Sequence, residues 1–540
     1  MSTNVNARAA TPDAAIEAKP MPKAPGSPAR ILPGAEWPTV LAAARRAAPE
    51  AFDADGGLLN LIGGAWGTPG TPRRVTSPVD GTDLGRLPML DLAQASRAVT
   101  LAADEAAAWG KVDLDERRAK VAACCAELRT HRDLLTKLLV WEIAKPWALA
   151  QADVDRCLSG VEWYVAEIGG MVAGRRPLGL VSNIASWNYP LSVLMHAVLV
   201  QVLAGNASIA KTPTDGGGCA LGVCFAVARR HGLPVSLVSG PGGPLSEALV
   251  RHPRIDALSF VGGRSNGRDI ALRLVETSKR SMLEMEGINA YGVWEFSDWA
   301  GLAAQMRKGF EYGKQRCTAY PRFVVQRRLF PAFLDAYLGV LKGLRFGHPL
   351  LVRGDEASAP TLDFGPLINA RKAEELRAMR AEAIGAGAVP IYEGTLDPTS
   401  VFPGQDVSAY VAPGTLLGVP RSCELYFNEP FGPLDSIVVV DRLEELVAEM
   451  NVSNGSLVAS VATDDPRIAA RLREESRGFK FGHNKVRSRG DKAEVFGGRG
   501  LSWKGCFVGG ELLVHAVTAG AAGEALFGNF PDSIRLPENP

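Results

Sequence analysis

The segment Gly179-Leu-Val-Ser-Asn-Ile-Ala-Ser-Trp-Asn-Tyr-Pro190 opens the part of the chain whose pattern decides the fold. Its apolar run predicts a strand, and its polar end predicts a loop before the next helix. The alternation continues and predicts the strands Gly179–Ala185, Ala207–Lys211, Val235–Ser239, Ala257–Val261 and Ser281–Met285. The helices predicted between them are Leu191–Leu203, Gly217–His231, Leu245–Arg251 and Asn266–Thr277. This order predicts a doubly wound, parallel α/β sheet, which binds ligands at the carboxyl ends of its strands.

The remaining chain predicts three helices before this sheet and a second α/β domain after it. The early helices are Leu92–Trp109, Leu114–Leu139 and Ala148–Ile168. The later elements are helices near Asp298–Gly313, Pro331–Leu344 and Ala370–Ala386, and strands at Phe323–Gln326, Val389–Tyr392 and Ser436–Val440. By contrast, the residues up to about Arg30 are rich in Ala, Pro, Ser and Lys, so we predict a disordered tail there.

Composition and charge exclude several classes of function. The 540 residues are 46% hydrophobic and 22% charged, and the net charge of +1 predicts neither nucleic-acid binding nor membrane-surface binding. The sequence contains no apolar run of membrane-spanning length. Eight cysteines without a regular spacing predict neither a disulfide framework nor a metal site, so we expect a protein of the reducing cytoplasm.

Three polar loops follow predicted strands and are therefore candidates for ligand binding. They are Ser186–Pro190, Lys211–Asp215 and Gly262–Gly267. The third loop is rich in glycine and opens a helix, so its backbone N–H groups are placed to hold a pyrophosphate. Its spacing differs from the common GxGxxG pattern, so by itself it is a weak signal.

A candidate nucleophile lies in the stretch Glu311-Tyr-Gly-Lys-Gln-Arg-Cys-Thr-Ala-Tyr-Pro321. Cys317 stands there between a predicted helix and a predicted strand, with Lys314 and Arg316 beside it. Positive neighbours and nearby backbone N–H groups favour the thiolate, which is the reactive form of cysteine. The alternative is a buried structural cysteine, which is the usual state of a lone cysteine.

Together these motifs resemble the aldehyde dehydrogenase superfamily from about Leu58 to Val517. In family order they are Trp187-Asn-Tyr-Pro190, Lys211, the glycine turn, Glu284, Gln315-Arg-Cys317, Asn428-Glu-Pro-Phe-Gly-Pro433 and Phe496-Gly-Gly498. The resemblance implies two doubly wound α/β domains, one for the cofactor and one for catalysis, with a reduced oligomerisation hairpin. We place a disordered or extended tail at 1–50, a dinucleotide-binding domain at 51–283, a catalytic domain at 284–487, and a C-terminal segment returning to the cofactor domain and the subunit interface at 488–540.

The resemblance also implies roles for individual residues. Cys317 would attack an aldehyde, Asn188 and the backbone N–H of Cys317 would stabilise the oxyanion, and Glu284 would be the general base. The implied cofactor is NAD or NADP, bound by Ser186, Trp187, Lys211, Thr214, Gly262, Gly263, Gly267, Glu429 and Phe431. The implied substrate tunnel is lined by Tyr189, His196, Arg316, Thr318 and Phe496, and Arg316 is compatible with a carboxylate-bearing aldehyde.

Several residues depart from the family pattern. The run Glu284-Met-Glu-Gly-Ile288 lacks the usual lysine and contains a second carboxylate, Glu286, so either glutamate is a candidate for the base. Alternation along a strand would put both on one face, and the register of the motif favours Glu284. Lys314 and Trp503 stand where glycines are usual, and Gly263 where a serine is usual, so we expect a narrower approach to the nucleophile.

Cofactor choice stays open on the sequence. Members of the family that prefer NAD place a glutamate three positions after the lysine, where this chain has Thr214. The exchange removes repulsion of a 2′-phosphate, and Lys211 and Arg264 add positive charge. Asp215 would restore the preference for NAD by reaching round, so we expect the use of both NAD and NADP.

The link before the first parallel strand predicts an altered assembly. Only about ten residues separate Ile168, the end of a predicted helix, from Gly179. Family members usually carry there a hairpin that crosses the subunit interface. We therefore expect a homodimer, or a monomer, rather than a tetramer.

Three functions are compatible with these observations. The first is an NAD(P)-dependent dehydrogenase that converts a small-molecule aldehyde into a free acid. The second is a CoA-acylating member of the family, against which Glu284 argues, since the hydrolytic route needs a base. The third is a family member with impaired catalysis that acts as a binding or scaffold protein, which the departures around Glu284, Gly263 and Trp503 suggest.

Overall fold

Two large sheets organise the chain, which a computed structural model describes over residues 28–453, 456–487 and 491–537. The strands are β1 Ala29–Ile31, β2 Asn60–Ile62, β3 Ala65–Gly67, β4 Thr71–Thr76, β5 Asp83–Met89, β6 Arg176–Pro177, β7 Leu180–Ile184, β8 Ala207–Lys211, β9 Val235–Val238, β10 Ala257–Gly262, β11 Arg280–Met285, β12 Ala290–Val293, β13 Arg322–Gln326, β14 Leu351–Arg353, β15 Val389–Glu393, β16 Gly414–Leu417, β17 Leu434–Val440, β18 Ser456–Ala462, β19 Gly478–His483, β20 Trp503–Cys506, β21 Thr518–Ala519, β22 Gly528–Asn529 and β23 Ile534–Arg535. The helices are α1 Trp37–Ala47, α2 Leu92–Trp109, α3 Leu114–Thr130, α4 Arg132–Ile143, α5 Trp147–Met171, α6 His196–Leu203, α7 Gly218–Arg230, α8 Gly242–Ser246, α9 Arg264–Leu274, α10 Trp299–Gly309, α11 Phe330–Lys342, α12 Ala370–Gly385, α13 Glu424–Phe427, α14 Leu443–Met450, α15 Pro466–Glu475 and α16 Gly510–Ala516.

The first sheet has ten strands within the described residues, in the order β23-β22-β20-β11-β10-β7-β8-β9-β2-β3. Strands β7 to β11 pair in parallel, as the sequence predicted. Leu180 and Ile209 face α2, whereas Val181 and Ala210 face the core that contains α6 and α7. Both faces of the sheet are therefore covered by helices. The strand order reverses between β7 and β10, which is where such a sheet opens a crevice for a ligand.

The second sheet has seven strands in the same described ranges, in the order β15-β16-β17-β13-β12-β18-β19. Its neighbours pair in parallel except for β15 and β16. Met306 of α10 and Phe333 of α11 lie in the core on one face. Leu446 of α14 and Leu472 of α15 lie in the core on the other face. The predicted fold of two doubly wound α/β domains is confirmed.

The C-terminal segment adds strands to the first sheet. Strand β20 pairs antiparallel with β11, and the register places Trp503 opposite Glu284. Strands β22 and β23 continue the sheet beyond β20. Strand β11 crosses the predicted domain boundary at residue 284, so by strand pairing Glu284 belongs to the first sheet. The glutamate motif begins inside β11, so its first residue does not mark the boundary between the two domains.

The residues just before position 50 are folded, in contrast to the predicted disordered or extended tail over 1–50. Strand β1 pairs with β14, and α1 buries Trp37 and Val40 in the core of the first domain. Trp141 Nε1 donates a hydrogen bond of 2.7 Å to the carbonyl of Ala35. The prediction is wrong for residues 28–50 because an average over an Ala- and Pro-rich stretch hides apolar residues at helical spacing. Residues 1–27 lie outside the described residues.

Two local features also bear on the predictions. The helix predicted at Leu114–Leu139 is two helices, α3 and α4, which meet at His131. Between α5 and β7 the structure has the two-residue strand β6, which pairs with β21. This link is as short as the sequence predicted. Within the described parts of the chain, the helices lack the combination of length and apolar character needed to cross a membrane.

Candidate active site

A cavity of about 580 Å³ lies where the carboxyl ends of β7, β10 and β11 face the second domain. Most of the predicted site residues line it: Ser186, Trp187, Asn188, Tyr189, His196, Gly262, Gly263, Glu284, Arg316, Cys317, Thr318, Glu429, Phe431 and Phe496. The predicted residues Lys211, Thr214 and Gly267 lie outside this lining. The structure therefore brings the predicted nucleophile, base and oxyanion donor into one space.

Cys317 lies half-buried in the turn between α10 and β13. The preceding backbone is left-handed at Tyr312 and Lys314, with φ of 60° and 58°. Non-glycine residues adopt this conformation rarely, and such residues cluster at functional sites. Cys317 thus lines the cavity and also packs against the core of the second domain.

Asn289 holds this turn in place. Its Nδ2 donates hydrogen bonds of 2.7 Å to the carbonyls of both Cys317 and Ala319. Its Oδ1 accepts from the backbone N–H groups of Leu457 and Val458 at 3.2 and 3.1 Å. The buried amide thus ties the nucleophile's turn to β18. The sequence analysis missed Asn289, whose only signal was its place at the end of the glutamate motif.

Asn188 is anchored to the same turn. Its Nδ2 donates a hydrogen bond of 2.9 Å to the carbonyl of Gln315. The Gln315 side chain is itself fixed, since its Oε1 accepts from the N–H of Ile368 at 3.1 Å. An amide nitrogen carries two N–H groups, so Asn188 has a second donor for a charge that develops beside Cys317.

Lys314 does not face the thiol. Its Nζ lies 2.6 Å from both carboxylate oxygens of Asp435 and donates to the carbonyl of Tyr320 at 2.9 Å. The side chain is buried under the second sheet, where its ammonium also lies 4.1 Å from the centre of the Phe310 ring. The expectation that Lys314 favours the thiolate is wrong, because its charge is already paired with Asp435.

The environment of Cys317 stabilises the thiol. Burial raises the pKa of Cys317 most, and the nearby carboxylate of Glu284 raises it further, followed by Glu429. Arg316 lowers the pKa, as the sequence predicted, but it is the smallest contribution. Its guanidinium is also turned toward the carbonyls of Lys308 and Gly309, at 3.1 and 3.0 Å. The resting residue is therefore a thiol that needs a base.

The two candidate bases point to different parts of the cavity. Glu284 lies within β11 and shares a hydrogen bond with the Cys317 thiol. Glu286 follows the end of β11, and a Cβ added at Gly263 would lie 3.6 Å from its Oε2. Its charge raises the pKa of Glu429. The expected alternation does not place the two carboxylates together, because the strand ends at Met285 between them.

The glycine turn leads into the amino end of α9. Within the described residues, Gly263 caps this helix without a side-chain hydrogen bond, so the first N–H groups of α9 are free to bind an anion. Gly267 lies inside α9, where a Cβ would come within 2.4 Å of Met285 Cγ. It therefore allows the helix to approach the sheet, whereas Gly262 and Gly263 form the turn. The arrangement fits a pyrophosphate.

Lys211 ends β8, which is separated by β7 from the strand that leads into the glycine turn. Its Nζ donates to the carbonyl of Thr212 at 3.0 Å and to Oγ1 of Thr214 at 3.3 Å. Burial lowers the pKa of Lys211 to about 8; Arg73 lowers it too, and Asp215 opposes the shift. Arg73 was not predicted, because it lies on a hairpin far from the site in sequence. Arg264 reaches Asn428 at 3.5 Å instead of joining this group.

Glu429 and Phe431 enter the cavity from the second domain. Burial raises the pKa of the Glu429 carboxyl most, Glu286 raises it further, and Lys372 opposes the shift. The oxygens of such a carboxyl can accept hydrogen bonds from the hydroxyl groups of a ribose. Phe431 is left-handed, with φ of 48°, and its ring stands edge-on to Trp187 at 5.9 Å. An aromatic wall beside a hydrogen-bonding carboxyl fits a nicotinamide and its ribose.

The other end of the cavity is lined by side chains around Tyr189. The ring of Tyr189 covers the ammonium of Lys145 at 3.8 Å, and Lys145 is paired with Asp153 at 3.0 Å in full burial. Burial raises the pKa of Tyr189 to about 12. His196 packs edge-on to Tyr164 at 5.6 Å, so it is a wall of the cavity.

Two cationic side chains and a tryptophan complete this end. Arg156 of α5, which the sequence analysis did not single out, lines the cavity together with Arg316. The charges of both arginines oppose the rise in the pKa of Tyr189 that burial causes. Trp503 is buried, and it stands edge-on to Phe496 at 6.2 Å. Its bulk therefore forms part of the wall behind Glu284.

Comparison with known proteins agrees with this geometry. The chain matches the profile described as "Aldehyde dehydrogenase family" over residues 66–519. A non-phosphorylating aspartate-semialdehyde dehydrogenase from Halomonas elongata is 27% identical over 449 residues, which cover 79% of this chain and 87% of that protein. A glutarate-semialdehyde dehydrogenase from Pseudomonas aeruginosa is 24% identical over 434 residues, covering 77% of this chain and 86% of that protein. The solved structure of an NADP-dependent glyceraldehyde-3-phosphate dehydrogenase from Bacillus halodurans, complexed with NADP, is similar in fold, with a TM-score of 0.76 at 23% identity over 86% of this chain and 98% of that one.

Proposed function

The chain belongs to the aldehyde dehydrogenase family, and we propose that it oxidises an aldehyde to a carboxylic acid through a covalent intermediate on Cys317. The use of NAD or NADP as oxidant follows from that membership, and the roles of individual residues are proposed here. The observation that carries the proposal is the meeting of Cys317, Glu284 and Asn188 in one cavity. These residues are a nucleophile, a base in contact with it, and an amide donor beside it.

In the first half of the reaction, Glu284 accepts the proton of the Cys317 thiol, and the sulfur attacks the carbonyl carbon of the aldehyde. A thiohemiacetal forms, and its oxygen receives hydrogen bonds from Asn188 Nδ2 and from the backbone N–H of Cys317. One such donor is typically worth about 3 kcal/mol in the transition state. When bound, NAD or NADP would supply the acceptor for the hydride that leaves the carbon. A thioester on Cys317 remains.

In the second half, Glu284 takes a proton from a water molecule, having passed its first proton to solvent. The hydroxide attacks the thioester carbon, the C–S bond breaks, and the acid is released as the Cys317 sulfur regains a proton. Asn289 acts as a positioning residue, because it fixes the turn on which both halves depend. Balanced over the cycle, one aldehyde and one water yield one acid, with two electrons passing to the cofactor.

The residues around the cavity provide a place for the whole cofactor. Lys211 and Thr214 would hold the adenosine ribose. The amino end of α9 would hold the pyrophosphate. Glu429 and Phe431 would hold the nicotinamide and its ribose. Ser186 and Trp187 contribute the wall between these two ends.

The proposal is tested by mixing the purified protein with aldehydes and with NAD or NADP, and measuring both the reduced cofactor and the acid formed. We expect one acid per reduced cofactor without CoA. If reduced cofactor accumulates only when CoA is added, the CoA-acylating alternative is correct. If the protein binds the cofactor but does not reduce it with any aldehyde, the alternative of a binding or scaffold protein is correct.

The reactivity of Cys317 provides a test that needs no substrate. Because the carboxylate of Glu284 raises the pKa of the thiol, Glu284→Gln should lower that pKa. The rate of alkylation by iodoacetamide should therefore rise several-fold at a fixed pH near 8, and its pH profile should move toward lower pH. The measurement is alkylation followed by mass spectrometry across pH, with Glu286→Gln as the matched control. An unchanged profile in Glu284→Gln would show that Glu284 does not act on the thiol.

We further propose that the substrate carries an anionic group. Arg156 and Arg316 line the substrate end of the cavity, where a carboxylate would meet the guanidinium of Arg156 in the positive field of both side chains, since the Arg316 guanidinium is bonded to the carbonyls of Lys308 and Gly309. The relatives named for aspartate semialdehyde and glutarate semialdehyde support this, since both of those aldehydes carry carboxylates.

Arg156→Gln tests this substrate class. We expect kcat/KM for succinate semialdehyde to fall about tenfold, the size of one charge-assisted hydrogen bond, while kcat/KM for butanal changes little. Arg118→Gln, on α3 away from the cavity, is the control for loss of a surface charge. Equal losses for the charged and the neutral aldehyde would contradict the proposed anion site.

For the assembly we propose a homodimer in the cytoplasm. The short β6 link leaves little chain to extend to a further subunit, and Leu272 and Val275, at the end of α9, are 64% and 74% exposed. Such apolar exposure is typical of a surface that another chain covers. The cytoplasm is supported by eight free thiols, seven of them buried. Light scattering after size exclusion should give the mass of a dimer, and the mass of a tetramer would contradict the proposal.

A further inference from the structure

Arg73, on the hairpin of β4 and β5, contacts Asp215 at the proposed adenosine end of the cavity. Its Nη2 lies 3.4 Å from Oδ1 of Asp215, and the two side chains are 38% and 28% exposed. Asp215 itself lines the cavity. An ion pair this open to water adds little to stability. The Arg73–Asp215 pair matters instead because it determines the charge that a bound ligand meets.

Lys211 belongs to the same group of charges. Burial and then Arg73 lower the pKa of Lys211, while Asp215 opposes them, so all three side chains lie close enough to act on one another. Lys211 is also fixed by its hydrogen bonds to Thr212 and Thr214. The group therefore has two cations and one carboxylate, and Arg73 supplies its excess of positive charge.

The loop that carries Asp215 is fixed by the glycines after it. Gly216 and Gly217 are left-handed, with φ of 69° and 78°. A Cβ at Gly216 would lie 2.3 Å from the carbonyl of Glu142, so the backbone sits directly against α4. Only the side chain of Asp215 is free to turn, and turning toward the ribose would cost its contact with Arg73. The expectation that Asp215 restores a preference for NAD is therefore not supported by its position.

We propose that Arg73 makes this site prefer the 2′-phosphorylated cofactor, NADP, over NAD. Arg73 holds Asp215 away from the ribose hydroxyl that NAD would offer, and with Lys211 it presents two cations to a 2′-phosphate. Arg73 is thus a specificity-determining residue supplied by a hairpin outside the parallel sheet. The inference rests on the proposed function, since it assumes that the cavity binds NAD or NADP.

Binding is measured by calorimetry in the Cys317→Ala background, so that turnover does not interfere. The probes are NADP and NAD, and the fragments 2′,5′-ADP and 5′-AMP, which isolate the 2′-phosphate. We expect NADP to bind more tightly than NAD. Arg73→Gln should weaken NADP about tenfold and NAD little, because one charge-assisted contact is lost. Arg73→Lys should retain most of the preference.

The neighbouring Arg74→Gln is the matched control. Arg74 lies on the same strand and pairs with Asp83 at 2.9 Å, with 66% of its side chain exposed. Its loss should leave the ratio of the two dissociation constants unchanged. Asp215→Asn should tighten NADP, because Arg73 is then free for the phosphate.

Three results would overturn the inference. The first is an unchanged ratio in Arg73→Gln, and the second is an equal effect in Arg74→Gln. The third is a parent protein that binds NAD at least as tightly as NADP. If neither nucleotide binds to the parent at all, the proposed function fails, and the inference fails with it.

Discussion

Cys317→Ala eliminates aldehyde oxidation while the protein stays folded and still binds its cofactor. The thiol is the group that forms the bond to the carbonyl carbon, so its removal leaves no route to the thioester. We expect kcat to fall by at least about 10³-fold, the scale seen when a nucleophile is removed from such a site. The fold should tolerate the change, because Cys317 is only half-buried and faces an existing cavity. The measurement is the absorbance of reduced cofactor over a panel of aliphatic, aromatic and semialdehyde substrates.

The control for this variant is Cys423→Ala. Cys423 is buried in a separate core cluster, so its loss tests the effect of removing any thiol. Calorimetric melting and cofactor binding show whether each variant is folded. Aldehyde oxidation that persists in a folded Cys317→Ala protein would assign the nucleophile to another residue.

Glu284→Gln should separate the two halves of the reaction. At alkaline pH the thiol still ionises, so one equivalent of reduced cofactor should form in a rapid burst. Hydrolysis of the thioester then lacks its base, and the steady-state rate should fall by about 10²- to 10⁴-fold. Stopped-flow absorbance measures the burst, and mass spectrometry of the quenched protein should show the acyl group on Cys317.

Glu286→Gln is the matched comparison, since it removes the second carboxylate two residues along the chain. We expect normal turnover in that variant, because Glu286 lies toward Gly263 and Glu429 rather than toward the thiol. If the steady-state rate fell in Glu286→Gln and stayed normal in Glu284→Gln, Glu286 would be the base instead of Glu284.

Local sequence patterns predicted the parallel sheet well because each strand and helix carries its own signal. Strand β8 begins and ends as predicted at Ala207 and Lys211, because the strand is apolar and its end is marked by a charged residue and a proline. Helix α1 was missed because its Trp37 and Val40 lie in a stretch whose composition resembles a tail. The sequence signal of a strand is local, whereas α1 is stabilised by packing against α4, far along the chain.

The site residues were predicted from motifs, but their orientations were not. Lys314 stands three positions before the nucleophile, yet the left-handed turn directs its charge to Asp435. A sequence contains no signal for that direction. Arg73 could not be found either, since it lies 142 residues from Asp215 in sequence and contacts it only in the folded chain. The spacing of a motif therefore identifies which side chains belong to the site. Tertiary contacts decide which of the charged side chains face the reacting groups.

The pairing of β20 with β11 has a consequence for how the protein is made. Strand β11, which carries Glu284, pairs on one side with β20, and the whole second domain lies between the two strands in the sequence. During synthesis one edge of β11 therefore remains unpaired until β20 has left the ribosome. Contacts so distant in sequence also form slowly. A nascent or truncated chain that stops before Trp503 exposes this edge to other chains, so the synthesis of β20 is also the step that protects this edge from aggregation.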